Sequence, residues 1–217
     1  MSAEPSEILP EEAQRARAAA EELDSDIEAA RQSSFEALAD DVRKLAAEAR
    51  EAALRAADAE AAVRKYTRRA VVGALAAVAP GTDLVIQGAL ATALLRELTA
   101  LYGLGLRDVD LDRFVERAGG TVRTATSVTL AIAGNALKAF PGLGTLGGGL
   151  VHAVAYGLVF DSLGRAVAAT LAERGALDAN AALARLDQDL VQAPEPARLG
   201  ALLRLARDAA SGDREPR

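Results

Sequence analysis

The feature that most constrains this chain is the run from Glu11 to Tyr66, which contains no glycine or proline and consists mainly of Ala, Glu, Arg and Leu. These are strong helix formers, and the run lacks the two residues that most readily stop a helix. From Phe35 the apolar positions are Phe35, Leu38, Val42, Leu45, Ala49, Ala52, Ala56, Ala59, Val63 and Tyr66. Their spacings alternate three and four, the heptad of a coiled coil. Upstream, Ala20, Leu23, Ile27 and Ala30 follow a heptad in another phase, and the slip at Arg31-Gln32-Ser33-Ser34 suggests a break or turn. Two readings stand side by side: an antiparallel hairpin folding back on its own chain, or a coiled coil that binds a partner or a second copy of itself.

The remaining chain also reads as helical. Apolar residues make up 51% and aromatics 3%, and the apolar mass is Ala, Leu and Val. No run of alternating β-branched and aromatic residues bounded by turns is present, so the expected class is all-α. Pro80-Gly81 separates the long helix from one over Leu84 to Tyr102, with Thr82 or Asp83 as its cap and Gly103 and Gly105 at its end. A short polar helix from Asp110 or Asp112 is expected to stop at Gly119-Gly120. Helix 121–140, a reversal at Pro141-Gly142 and helix 146–172 follow. Two amphipathic helices, around Leu183, Leu186 and Leu190 and around Leu199, Leu202, Leu203 and Leu205, flank Pro194 and Pro196. The resulting division is a disordered 1–10, a coiled-coil-like 11–67, a hydrophobic helical domain 68–175, C-terminal helices 176–210 and a disordered tail 211–217.

Charge is laid out in blocks. Residues 1–65 hold 16 acids and 9 bases, whereas Thr124 to Phe160 contains one charge, Lys138. Arg64, Lys65, Arg68 and Arg69 form a basic cluster directly before the uncharged stretch Ala70–Thr82, a placement that fits contact with anionic lipid headgroups. A formal charge of −6 argues against nucleic acid as a partner, since such binding needs a basic face to release counterions. The absence of cysteine excludes disulfide and thiolate chemistry. The acidic N-terminus has no apolar leader segment and is expected to stay in the cytoplasm.

Residues 139–160 are an uncharged run of 22. Helices over 121–140 and 142–160 would measure roughly 30 and 28 Å, against a hydrocarbon core of about 30 Å. A membrane-spanning or membrane-docked hairpin is therefore expected, with lipids as a partner, provided that the polar stripe Thr124, Thr126, Ser127, Thr129 and Asn135 faces protein; the alternative is a hairpin buried inside a soluble helical bundle.

Residues Gly142 to Gly147 read GLGTLG, a literal G-x-G-x-x-G. A dinucleotide site of that type opens a helix after a β-strand, and none precedes it here, so the glycines are read as a helix-reversal device. Asp83 is read as a helix cap, and Lys138 as a charge that bonds the last carbonyls of its helix, reaches an interface or pairs with an acid such as Asp83. The single histidine, His152, is expected in a core or an interface. No nucleophile, base and orienting group can be assembled from these residues, so neither catalysis nor a cofactor or metal is expected.

The order Pro80 and Asp83, then Leu101-Tyr102-Gly103, then Leu137-Lys138 with Pro141-Gly142-Leu143-Gly144-Thr145, then a small-residue helix with Tyr156 and Gly164, resembles the YcjF-like bacterial family. The resemblance covers about residues 68–175. It implies a helical domain associated with the bacterial cytoplasmic membrane, often beside or fused to an Era- or TrmE-like GTPase. This chain carries no Walker lysine motif, so hydrolysis would belong to a partner GTPase. The family positions here are Pro80, Asp83, Tyr102, Gly103, Lys138, Pro141, Gly142 and Gly144, all architectural in that reading.

Overall fold

The computed structural model describes residues 10–76, 82–105, 107–138, 148–192 and 194–211. It contains α1 (Pro10–Ala76), α2 (Thr82–Leu101), α3 (Asp108–Lys138), α4 (Gly148–Arg174), α5 (Ala179–Val191) and α6 (Pro196–Ser211). No strand occurs among the described residues, and the all-α class stands. Pro10 opens α1 and Ser211 closes α6, both positions read from the sequence as disordered. The reversal at Pro141-Gly142 with its G-x-G-x-x-G, the break at Pro80-Gly81 and the remainder of both termini lie outside the described residues. The chain divides into two units, Met1–Glu51 and Ala52–Arg217. That division falls before the expected one at 67/68, and it groups α5 and α6 with the hydrophobic helices.

The described part of the first unit is a single helix, α1 up to Glu51. This overturns the hairpin reading of residues 11–67 and the expected break at Arg31–Ser34, which are helical throughout. The physical reason lies in the period. A phase slip in a strict heptad is a four-residue step that a straight helix of 3.6 residues per turn absorbs without leaving its face. Nothing in RQSS supplies a turn, and the Ser34 hydroxyl donates back to the Ala30 carbonyl at 2.8 Å within the helix.

In the second unit, α4 packs against α2, α3, α5 and α6. The last turns of α1 also lie on it, with Val63 against Gly164 and Val71 against Gly157. A helix with neighbours on several sides is apolar around most of its circumference. Leu163, Val167 and Leu171 of α4 are buried with Leu94, Leu95 and Leu98 of α2 and Leu186 of α5, and Leu150, Ala153 and Val154 of α4 form a second buried group with Leu203 of α6.

α3 runs unbroken through Gly119-Gly120, where a helix end was expected. Each interior glycine costs about 1 kcal/mol relative to alanine. Leu111, Phe114, Ala118, Ala125, Thr129 and Ala133 nevertheless form one continuous buried stripe across the pair, and this packing outweighs the local penalty.

The end of α2 does follow its sequence. Gly103 has φ of +72°, Leu104 N–H donates to the Thr99 carbonyl at 2.8 Å and Gly103 N–H to Ala100 at 3.0 Å. These are the two bonds of a Schellman cap, which needs a left-handed residue at that position. α5 begins at an Asp178 cap, whose carboxylate accepts from Ala181 N–H at 3.0 Å.

Candidate interaction surface

Along α1, Leu23, Ile27, Phe35, Leu38, Val42, Leu45 and Leu54 are between 48% and 67% exposed. At 100° per residue, Leu23, Ile27, Ala30, Ser34, Leu38, Val42, Leu45, Ala49 and Ala52 fall on one face, with Phe35 at its edge. Ile27, Ala30, Arg31, Ser34, Phe35 and Leu38 form a shallow apolar hollow on it. Fully burying each large side chain is worth about 1.5–3 kcal/mol, so the stripe withholds on the order of 5–10 kcal/mol of burial. That is comparable with the stability of a whole domain, and far more apolar surface than scattered single exposed side chains present.

The other faces of this segment are solvated and self-paired. Arg15 meets Glu11 at 3.3 Å, Arg43 and Lys44 each meet Asp40 at 3.4 Å, and Gln32 donates to Glu36 at 3.1 Å. Each spans three or four residues, the arrangement that supports an isolated helix by a few tenths of a kcal/mol per pair. Residues 11–54 carry twelve acids and six bases.

The same heptad behaves differently further on. Ala59, Val63, Tyr66 and Ala70 are buried against the bundle. The basic cluster on the outer side of this stretch is largely engaged within the chain. Arg64 pairs with Glu60 at 2.7 Å, and Lys65 reaches both carboxylate oxygens of Glu97 at 2.5 Å. Lys65 and Arg69 lie 5.0 and 5.2 Å from the centre of the Tyr66 ring, and Arg68 also has an interaction partner. Lys65 holds the Glu97 carboxyl below its usual range against the opposing effect of burial, and Tyr66 adds a hydrogen bond. Burial, and then that bond to Glu97, pushes the Tyr66 phenol up.

Of the eight family positions, Pro80, Pro141, Gly142 and Gly144 lie outside the described residues. The backbone of Asp83 lies in the first turn of α2. Tyr102 and Gly103 are brought together as the cap of α2, and Lys138 is the exposed last residue of α3, where its charge complements the helix dipole. His152 is exposed rather than in a core. In the polar stripe of α3 only Thr129 is buried; Thr124, Thr126, Ser127 and Asn135 face outward. The hydroxyls of Thr124, Thr126 and Thr129 donate to the carbonyls of Gly120, Val122 and Ala125 at 2.8–3.0 Å.

Sequence reasoning missed one polar centre. Arg198 of α6 donates from Nε to Asp161 at 2.5 Å, from Nη1 to Asp189 at 3.0 Å and from Nη2 to the Ser162 hydroxyl at 2.7 Å. It thereby joins α4, α5 and α6. Arg165 adds a second bond to Asp161 at 3.0 Å. Burial alone would raise the Asp189 carboxyl, but hydrogen bonds from Arg198 and Ser162 outweigh it and hold it below its usual range. Asp161-Ser162, the first polar pair after the uncharged run, was the available signal. A cavity of about 390 Å³ also opens between α2, α3 and α4, walled by Ala91, Val122, Val159 and Phe160 with Arg123 and Glu116 on α3.

Compared with protein-family models, curated proteins and solved structures, the chain matches none. One described helix, Gly149–Arg174, is long and apolar enough to cross a membrane, with a mean hydropathy of 1.2 and 78% of its window buried inside the bundle.

Proposed function

We propose that this protein is a non-catalytic helical adaptor that engages another helix through the stripe on α1. The observation that carries this reading is the exposure of Leu23, Ile27, Phe35, Leu38, Val42 and Leu45 on one face of an unbroken helix. A two-to-one excess of acids over bases between residues 11 and 54 favours a protein helix over an anionic lipid surface as the occupant. The test is a photo-crosslinking side chain at Leu45 of the full chain in its own cell. Discrete protein adducts that vanish in Leu38→Lys/Val42→Lys support the reading. Adducts to lipid alone, or adducts unaffected by the two lysines, sink it.

A second reading places the bundle at the bacterial cytoplasmic membrane beside a GTPase, as the YcjF-like resemblance implies. The length and hydropathy of Gly149–Arg174 favour it. In that setting the α1 stripe would be the face offered to the GTPase. Flotation with liposomes and retention in alkaline carbonate are expected if α4 inserts; recovery wholly in the soluble fraction removes this reading and leaves the first intact.

A further inference from the structure

We infer that the cavity between α2, α3 and α4 binds a single-tailed amphiphile with an anionic head, held by Arg123. The site lies wholly within the second unit and is independent of what covers the α1 stripe. Its volume of about 390 Å³ falls at the low end for ligand pockets, which leaves room for one hydrocarbon tail. Two glycines hold it open: a Cβ at Gly88 on α2 or at Gly119 on α3 would meet nothing within 4 Å. From Val115 to Thr126 the α3 wall runs roughly 16 Å, the reach of an extended dodecanoyl chain.

The two ends of the cavity differ in character. α3 and α4 run in opposite directions, since Phe114 and Leu171 share one buried group and Leu137 and Leu150 the other. Tyr156 therefore lies toward Arg123 and Thr126, and Leu163 toward Val115. Gln87 joins the first end, because its amide donates to the Ala70 carbonyl at 3.3 Å and the next residue, Val71, faces Gly157. Polar side chains thus gather at one end, and Ala91, Val115, Phe160 and Leu163 wall the other. Arg123 is the one cation among the lining residues, and nothing among the described residues pairs with it. Glu116, the one acid, stands two turns away at the apolar end, about 10 Å along the axis. An anionic head is drawn to Arg123 and kept from Glu116, with its tail along the apolar wall. A cationic head would settle at Glu116 and lay its tail against Gln87 and Tyr156, a poorer match.

Titration calorimetry of the full chain with dodecanoate, below its micelle concentration, should show one site per chain. Affinity is expected to rise about fourfold for each methylene from octanoate to dodecanoate, and to level off by hexadecanoate, whose tail outgrows the cavity. Gly119→Leu fills the cavity from α3 and should abolish binding without lowering the melting temperature, leucine being the better helix former. Gly88→Leu fills it from α2 and decides the matter if the first variant is unstable. Arg123 is exposed, so Arg123→Gln should weaken dodecanoate about fivefold, the scale of a screened ion pair, and should not weaken dodecylamine. No saturable binding, or binding untouched by both leucines, overturns the site. Equal affinity for dodecanoate and dodecylamine overturns the role of Arg123. Affinity that keeps climbing to hexadecanoate means adsorption to open apolar surface and overturns the cavity as the site.

Discussion

The methyl groups of Val63 on α1 lie over the bare Cα of Gly164 on α4. A Cβ at position 164 would come within 2.6 Å of one methyl and 2.9 Å of the other. Gly157, two turns earlier on α4, faces Val71 and Leu202 at 3.0 and 3.1 Å by the same measure. The two glycines set how closely the end of α1 seats on the bundle.

Gly164→Ala is therefore expected to destabilise by about 1–3 kcal/mol, because overpacking outweighs the roughly 1 kcal/mol that alanine gains as a helix former. Val63→Ala in the same chain should restore part of that loss. Denaturant unfolding of the four members of the cycle measures the coupling, and simple additivity would deny the contact.

The same exchange should change sign elsewhere. Gly119 is helical with open space around it, so Gly119→Ala is expected to stabilise by about 0.5–1 kcal/mol. Gly103 also has open space but sits at φ of +72°, so Gly103→Ala is expected to cost about 1 kcal/mol. Opposite shifts in melting temperature test the pair. Loss of stability in both variants would contradict the unbroken course of α3.

Removing Arg198 leaves Asp161 and Asp189 without their shared cation. Asp161 is 11% exposed and Arg198 14%, so Arg198→Ala is expected to cost about 3 kcal/mol, the low end for breaking a buried pair. The pH dependence has a definite sign. The folded Asp189 carboxyl lies below its ordinary 3.8, so its contribution is present above that value and is lost as pH falls through the folded one. The stability gap between wild type and variant should thus be full at neutral pH and narrow below about pH 4. A gap that persists at low pH would mean that the arginine acts by packing alone.

Tyr66 should ionise above its usual value of 10. Because the folded pKa is raised, its stabilising effect is complete below 10 and disappears as pH climbs through the folded value. Glu97→Gln removes the carboxylate and should bring the phenol back toward 10, read by ultraviolet difference titration. An unchanged titration would place Glu97 away from the phenol.

Much of the fold was legible because local chemistry and packing agree there. The glycine-free run from Glu11 to Tyr66 lies wholly within α1, Gly103 caps α2, and Leu186 and Leu190 give α5 its buried face. Two expectations failed where a local signal was outvoted. The heptad slip at Arg31–Ser34 looked like a turn, and Gly119-Gly120 looked like a helix end, yet one stripe continues across each site. The Arg198 centre was hidden for another reason: its partners Asp161 and Asp189 are 37 and 9 residues away, and no periodicity links them.

By itself the sequence determined the helical class, the end of α2 at Gly103 and the apolar faces, since these follow from propensity and from repeats of three and four residues, but it left open whether residues 11–67 form one helix or a hairpin. Only the tertiary structure decided how one continuous heptad is used. From Ala59 to Tyr66 it is buried in the bundle, whereas from Phe35 to Leu45 it stays exposed. Periodicity marks a face as apolar, but what covers that face depends on which surfaces the folded chain brings within reach.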